Sequence, residues 1–351
     1  MKNLTSTHSF LALALTTLMS AGCDEVAQDE AFGEGDVSER CVNCGGGILF
    51  NTFMWGKEDG GSLDVKGAVW SNARLVSVEL ACPKSEKDLW RFPKECLKDT
   101  MFRLDAVRAV SGELLGKRDI FDFGGADFLG SRWTVDLYDG EKVVGTHVQN
   151  ITAYAYDATQ KPHALHYYTF MFYGDGANGG EKGVWTPACK ESVDPITGLP
   201  VGTKAVVYDD IEVDTKTGKI SERESSLYLA CITGAVGKAG NWGYPAWEIG
   251  HEDFTTSVRM VRADYCGDGV SWTTIGSSLQ AKDVFKYRDF SNANGATEAM
   301  WGEKGALCLG TPRWTTQYAY SDVSCNGAKL QPCGAATLTD YSEAIAWTKL
   351  P

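Results

Sequence analysis

Eleven cysteines in a chain of 351 residues constrain the fold more than any other feature, because an odd count in an exported protein leaves one thiol that no internal disulfide uses. The first of them, Cys23, stands directly behind an apolar run at residues 10–19. Met1, Lys2 and Asn3 carry one cation ahead of that run, and small residues follow it, which is the order of a secretory leader. The run is too short to span a bilayer. The segment Leu18-Met19-Ser20-Ala21-Gly22-Cys23 resembles a lipobox, in which small residues precede a cysteine that is acylated and becomes the first residue of the mature chain. Ser20 departs from the leucine commonest there. Residues 1–22 are therefore read as a lipoprotein signal peptide and Cys23 as the lipidation site. Burial of each methylene is worth about 0.8 kcal/mol, so several acyl chains hold firmly where one alone is marginal.

Spending Cys23 on lipid leaves Cys41, Cys44, Cys82, Cys96, Cys189, Cys231, Cys266, Cys308, Cys325 and Cys333, an even set suited to five disulfides in an oxidising compartment. Proximity in sequence suggests Cys41–Cys44, Cys82–Cys96 and Cys325–Cys333. The other four pair as Cys189–Cys231 and Cys266–Cys308, or crossed. Cys41-Val42-Asn43-Cys44 also has the spacing of a redox pair or half a zinc site. A redox pair starts a helix, which Gly45-Gly46-Gly47 prevents, and zinc needs further ligands at suitable spacing. A structural loop is the expectation, and the sequence nominates neither a metal site nor a cofactor.

The formal net charge is −13, from 33 basic and 46 acidic residues. Removing residues 1–22 takes away one lysine and makes it −14. Such a chain is a poor partner for nucleic acid and for anionic lipid headgroups. Membrane association is expected through the lipid anchor, at the periplasmic face of the inner or outer membrane or at the cell surface. Residues 23–40 hold Asp24, Glu25, Asp29, Glu30, Glu34, Asp36 and Glu39 with little apolar material, and read as an acidic flexible tether. The mature chain, residues 23–351, exceeds the roughly 250–300 residues that a single core supports, so two units are expected.

Residues 133–138 and 141–148 alternate apolar and polar about Asp139-Gly140, a hairpin signal. Residues 151–156 and 166–172 form a second expected hairpin. Residues 41–183 thus read as a β-rich domain of antiparallel sandwich or barrel-like form. Residues 184–351 read as a disulfide-linked α+β domain. Its strands include 205–208 and 226–232, the latter apolar on both faces and so expected to be buried. Its one main helix, at about 251–266, is marked by Phe254, Val258, Val261 and Tyr265 at helical spacing, with Glu252 and Asp253 in the first turn and Gly267 beyond the end. The fold class is β-rich α+β.

Met260-Val261-Arg262-Ala263-Asp264-Tyr265-Cys266-Gly267-Asp268-Gly269 resembles the signature of the ADYC domain, a family of lipoproteins and secreted proteins from certain Gram-negative bacteria. Residues 185–189, 229–231, 242–247, 301–308 and 124–130 resemble its other landmarks, so that the resemblance covers roughly residues 120–310. Family members carry further cysteines near Lys238-Ala239-Gly240 and near Thr255-Thr256, both absent here. Their joint loss implies a disulfide this chain dispenses with, and leaves Cys266 free to pair with Cys308. The resemblance implies a fold and no established activity.

Cys266 is a poor nucleophile on this reading. It lies at a helix C-terminus, where the dipole disfavours a thiolate, beside Asp264, and His251 is about 22 Å away at ~1.5 Å per residue. His163 and His166 have helical metal spacing in a strand context, where i and i+3 point to opposite faces. Asp175 with Asn178, and Asp264 with Asp268, are oxygen-rich in the manner of calcium sites and equally of turns. No catalytic motif is found. The expected function is a binding or structural module of the cell envelope, contacting an envelope polymer or protein partner through exposed aromatics such as Trp242, Tyr244 and Trp247. The alternative is an extracytoplasmic hydrolase with an unrecognised carboxylate site.

Overall fold

A computed structural model describes residues 39–41, 62–159, 162–173, 183–189, 192–193, 200–201, 203–214, 216–273, 277–290 and 294–351. In chain order the strands are β1 (Glu39–Cys41), β2 (Ser62–Asp64), β3 (Ala73–Ala81), β4 (Met101–Arg103), β5 (Ala106–Val110), β6 (Glu113–Arg118), β7 (Phe121–Gly124), β8 (Arg132–Asp139), β9 (Lys142–Asp157), β10 (Leu165–Tyr173), β11 (Trp185–Pro187), β12 (Ser192–Val193) and β13 (Pro200–Val201). They continue with β14 (Ala205–Val213), β15 (Ile220–Cys231), helices α1 (Ala235–Asn241) and α2 (Ala246–Arg262), then β16 (Ser277–Asp283), β17 (Ala296–Gly302), β18 (Gly305–Leu309) and β19 (Ala346–Leu350). The chain is β-rich α+β.

The centre is an open nine-stranded sheet in the order β2-β15-β14-β10-β9-β8-β3-β4, with β11 added to β10. Both expected hairpins are present. β8 and β9 pair from Asp139↔Lys142, with Gly140 at φ +60° in the turn, and β9 continues into its pairing with β10 from Asp157↔Leu165. The boundary expected at residues 183/184 falls inside this sheet, which takes β10 from one side of it and β11, β14 and β15 from the other.

Strand alternation gives the sheet two cores. Tyr167, Val206, Tyr208, Tyr228 and Ala230 face one way, toward α1, α2 and a five-stranded sheet ordered β1-β16-β19-β17-β18. Tyr168, Phe170, Ala205, Val207, Leu227 and Leu229 face the other way, toward the three-stranded sheet β5-β6-β7. A strand covered on both faces has no solvent side to code as polar, which is why Leu227-Tyr228-Leu229-Ala230-Cys231 is apolar throughout and buried. β10 and β14 pair only at Tyr168↔Ala205. The disulfide Cys189–Cys231 ties the two halves together there, because Cys189 follows β11 and Cys231 lies opposite Ala205.

Helix α1 has no counterpart in the sequence reading. Gly237 and Gly240 weaken helical propensity, yet they are what lets α1 lie on the sheet. A Cβ at Gly237 would sit 2.2 Å from the Cys231 carbonyl oxygen, and one at Gly240 would sit 2.0 Å from the Tyr208 hydroxyl. α2 bends at Gly250 (φ +78°), so its straight part begins where expected. It ends at Arg262, four residues short of the expected end, because Ala263 adopts a left-handed conformation at φ 52°, ψ 40°. α2 is buried on all sides from Phe254 onward. Thr255, Thr256 and Ser257 satisfy their hydroxyls by donating to the carbonyls of His251, Glu252 and Asp253, at 2.8, 3.2 and 3.0 Å.

The disulfides Cys82–Cys96 and Cys189–Cys231 follow expectation. The expected Cys266–Cys308 and Cys325–Cys333 do not form; the bonds are Cys266–Cys325 and Cys308–Cys333. Residues 331–333 run alongside the end of β18, Leu309 N–H donating to the Gln331 carbonyl and Cys333 N–H to that of Leu309, which delivers Cys333 to Cys308. Cys325 is held in a separate tight turn with Ala328, facing the segment beyond α2. Nearness in sequence fails here because the chain reverses direction between Cys325 and Cys333. Cys23 and the pairing of Cys41 with Cys44 lie outside the described residues.

Candidate functional site

The end of α2 gathers a set of buried polar side chains, among them Arg259, Arg262, Asp264, Glu298 and Arg313. Ala263 turns the chain out of the helix, its N–H bonded to the carbonyls of Arg259 and Met260. Asp264 comes next at 0% exposure and its carboxylate accepts the backbone N–H of Asp268 at 3.1 Å and of Gly269 at 2.9 Å. Burial pushes its carboxyl up to about 6, opposed by the Gly269 N–H; the charge of Asp268 adds to the rise, and Arg259 and Arg262 oppose it. The loop that Asp264 organises runs against other backbone. At Gly267 (φ +65°) a Cβ would lie 2.3 Å from the Lys304 carbonyl oxygen, and at Gly269 (φ +87°) 1.7 Å from that of Lys216. Only glycine meets both the left-handed backbone and the approach.

Tyr265 enters a fully buried ion pair. Its hydroxyl donates to Glu298 Oε1 at 2.9 Å and accepts the Arg313 backbone N–H at 2.7 Å, while its ring stacks on Trp301 at 5.5 Å and 22°. Burial, with Glu298 next in effect, holds the phenol well above its ordinary range. The Arg313 guanidinium meets Glu298 in a fork, Nε to Oε1 at 2.9 Å and Nη2 to Oε2 at 3.1 Å, both side chains being 0% exposed. Its remaining donors reach Val261 O from Nη1 at 2.9 Å and Met260 O from Nη2 at 2.8 Å. A cation thus sits on the last carbonyls of α2, at the negative end of the helix dipole. Cys266 completes the run through its bond to Cys325. Each of the four residues Ala263, Asp264, Tyr265 and Cys266 has a structural task, and the sulfur of Cys266 is not a thiol. This knot anchors a helix.

The aromatic platform expected at residues 242–247 is not one. Trp242 and Tyr244 are each 1% exposed, within the core between the large sheet and the five-stranded sheet. The Tyr244 hydroxyl donates to Asp283 Oδ2 at 2.8 Å, and the Trp242 carbonyl accepts Arg288 Nε at 3.1 Å and Nη2 at 2.6 Å. Trp247 is half-buried, its ring 5.4 Å from that of Tyr208. The short helix α1, unseen in the sequence, carries these residues inward. Among the described residues the aromatics that do face solvent are Trp90, Tyr156, Tyr173 and Trp185.

His163 and His166 go to different partners. His163 Nδ1 lies 3.6 Å from Glu248 Oε1, and His166 Nδ1 shares a hydrogen bond of 2.9 Å with the Tyr154 hydroxyl. Burial lowers the His166 imidazole below its ordinary value, Glu113 opposing, and burial raises Tyr154, with Glu113 adding to it. The strand register offers part of this cluster in advance, since His166 stands opposite Tyr156 and Tyr168 opposite Tyr154. Glu113 comes from another sheet and gives no local signal, nor do Glu298 and Arg313. Asp175 and Asn178 lie outside the described residues.

The ADYC domain family model matches residues 125–315, a span that contains β8 to β18, the run from Ala263 to Cys266, Glu298 and Arg313. No curated protein and no solved structure matches the chain.

Proposed function

Since the chain belongs to the ADYC domain family, we propose that it is a rigid, disulfide-braced module of the cell envelope, tethered to a membrane by lipid on Cys23 and acting by binding or by structural support rather than by a reaction. The observation that carries this reading is the commitment of Ala263, Asp264, Tyr265 and Cys266 to anchoring α2. A motif spent on rigidity suits a scaffold that presents loops and edges to a partner. The disulfides Cys82–Cys96, Cys189–Cys231, Cys266–Cys325 and Cys308–Cys333 belong to an oxidising, extracytoplasmic compartment. Among the described residues no helix is long and apolar enough to cross a membrane. Intact mass of the protein from its native host, before and after reduction, tests the reading. The expected product begins at Cys23, carries acyl chains and gains ten hydrogens on reduction of the other cysteines. A soluble chain without acylation overturns the tether.

A further inference from the structure

The adjoining ends of β9 and β10 carry Tyr154, Tyr156, His166 and Tyr168 on one face of the large sheet, because Tyr154 stands opposite Tyr168 and Tyr156 opposite His166, and alternate residues of a strand share a face. Tyr168 is buried under β6, its hydroxyl accepting the Leu114 N–H at 2.8 Å. Cover by the small sheet runs out beyond it: Tyr154 and His166 are half-buried and Tyr156 is 55% exposed. A step results. Its floor is the rings of Tyr156 and His166, 4.7 Å apart, with Tyr154 held to His166 by their 2.9 Å hydrogen bond. Its wall is the β6–β7 pair, which brings Glu113 alongside. A Cβ at Gly125, just after β7, would stand 2.7 Å from the Tyr154 hydroxyl and 3.0 Å from Glu113 Oε1, so these two oxygens are less than about 6 Å apart. One nitrogen with two N–H donors spans that distance with hydrogen bonds of about 2.9 Å.

The charge of the step is unbalanced. Glu113 is half-buried, and among the described residues no hydrogen bond and no ion pair engages its carboxylate. Asp127 lies close by, accepting the Gly124 N–H at 3.0 Å, and adds a second negative charge without a cation. Arg108, on the adjoining strand, acts on Asp209; Glu113 is the one charged side chain that acts on Tyr154 and on His166. His166 does not supply the missing cation, since burial holds its imidazole below the ordinary value and so neutral at pH 7. A carboxylate partly withdrawn from water, flanked by phenol rings and left without a counter-charge, is complementary to a cation. Among the described residues no three His, Cys, Asp or Glu side chains gather as metal ligands, and two oxygens at bridging distance call for a cation that carries N–H donors. We propose that this step binds a primary alkylammonium group on the partner of the module, clasped by Glu113 and Tyr154 with its alkyl stem against the Tyr156 ring. The proposal rests on the binding reading above and names the chemistry of what is bound.

The test titrates the full mature chain, made soluble by Cys23→Ser, with Nα-acetyl-lysine amide as the amine of a peptide and with glucosamine as the amine of a polymer, following the protein by NMR. The expected result is saturable binding of at least one of them, the tighter naming the source. Acetylating the amine, or offering the quaternary ammonium of choline in its place, weakens binding about tenfold, as does Glu113→Gln. Tyr156→Ser weakens it about two- to fivefold. Glu141→Gln, at an exposed carboxylate in the β8–β9 turn, leaves the affinity unchanged. The thermal midpoint stays at the wild-type value in all three variants, because Tyr156 and Glu141 are exposed and Glu113 is unbonded. Absence of saturable binding to either amine, or equal binding of the acetylated forms, overturns the proposal. So does an equal loss in Glu141→Gln and Glu113→Gln, which would make the attraction a property of the net charge of −13 alone. Failure of the envelope tether is read separately, from the mass of the native product, and neither result decides the other.

Discussion

Replacing Arg313 by methionine strikes the helix knot at its centre. The substitution nearly preserves volume, so the effect comes from charge and hydrogen bonding. Glu298 is left at 0% exposure without its cation, with the Tyr265 hydroxyl still donating to it, and the carbonyls of Met260 and Val261 lose the guanidinium. Removing one partner of a buried ion pair costs about 3–5 kcal/mol, a large share of the roughly 5–15 kcal/mol that holds a typical domain together. In urea unfolding at pH 7 with disulfides intact, followed by tryptophan fluorescence, a slope of about 3 kcal/mol/M converts that loss into a midpoint shift of about 1–2 M. Two companions separate the causes. Tyr265→Phe removes one hydroxyl that both donates and accepts, and should cost about 1–3 kcal/mol. Arg313→Met combined with Glu298→Leu removes both charges and should recover much of the single-variant loss. A loss below about 1 kcal/mol for Arg313→Met, or a double variant less stable than the single, would refute the buried knot as the anchor of α2.

Other perturbations act at separate points. Asp264, raised to about 6 in the folded chain against about 3.9 unfolded, makes the folded state bind its proton more tightly, so its contribution is full below pH 4 and is lost as pH rises through 6, about 3 kcal/mol in all; Asp264→Asn should flatten that part of the stability–pH curve. Removing Cys266–Cys325, which closes a separation of 59 residues, as a double serine variant should cost about 4 kcal/mol by chain entropy, measured by the same unfolding. Gly240→Ala places a methyl 2.0 Å from the Tyr208 hydroxyl and should cost about 1–3 kcal/mol or more through overpacking. Trp242→Ala should lower stability by about 3–5 kcal/mol as a core truncation; any loss of ligand capture by that variant without a fall in thermal midpoint would contradict its place in the core.

The strands were legible because the signals that make them are local: Asp139-Gly140 between alternating runs sets the β8–β9 register, and an unbroken apolar run is what a strand covered on both faces requires. The start of the straight part of α2 was legible for the same reason, but not its end. Gly267 is the expected terminator by composition, and Ala263 takes the left-handed position first, followed by Asp264, which binds the N–H groups of Asp268 and Gly269, and by Tyr265, whose partners Glu298 and Arg313 are far along the chain. Helix α1 was hidden because Gly237 and Gly240 serve close packing, which a propensity reading scores as loop. That omission turned Trp242 and Tyr244 outward when the fold turns them inward. Glu298 and Arg313 stand alone among many charges, and nothing short of the tertiary structure brings them to Tyr265. Cysteine connectivity belongs to the same class: ten cysteines limit the fold strongly and leave their own partners open.

The central claim is that the Ala263-Asp264-Tyr265-Cys266 run is a structural anchor and not a reactive site. Its most direct test is peptide mapping of the alkylated, unreduced protein by mass spectrometry. The account predicts linked peptides joining Cys266 to Cys325 and Cys308 to Cys333, with no alkylation on Cys266. An alkylated Cys266, or a Cys266–Cys308 link, would contradict it.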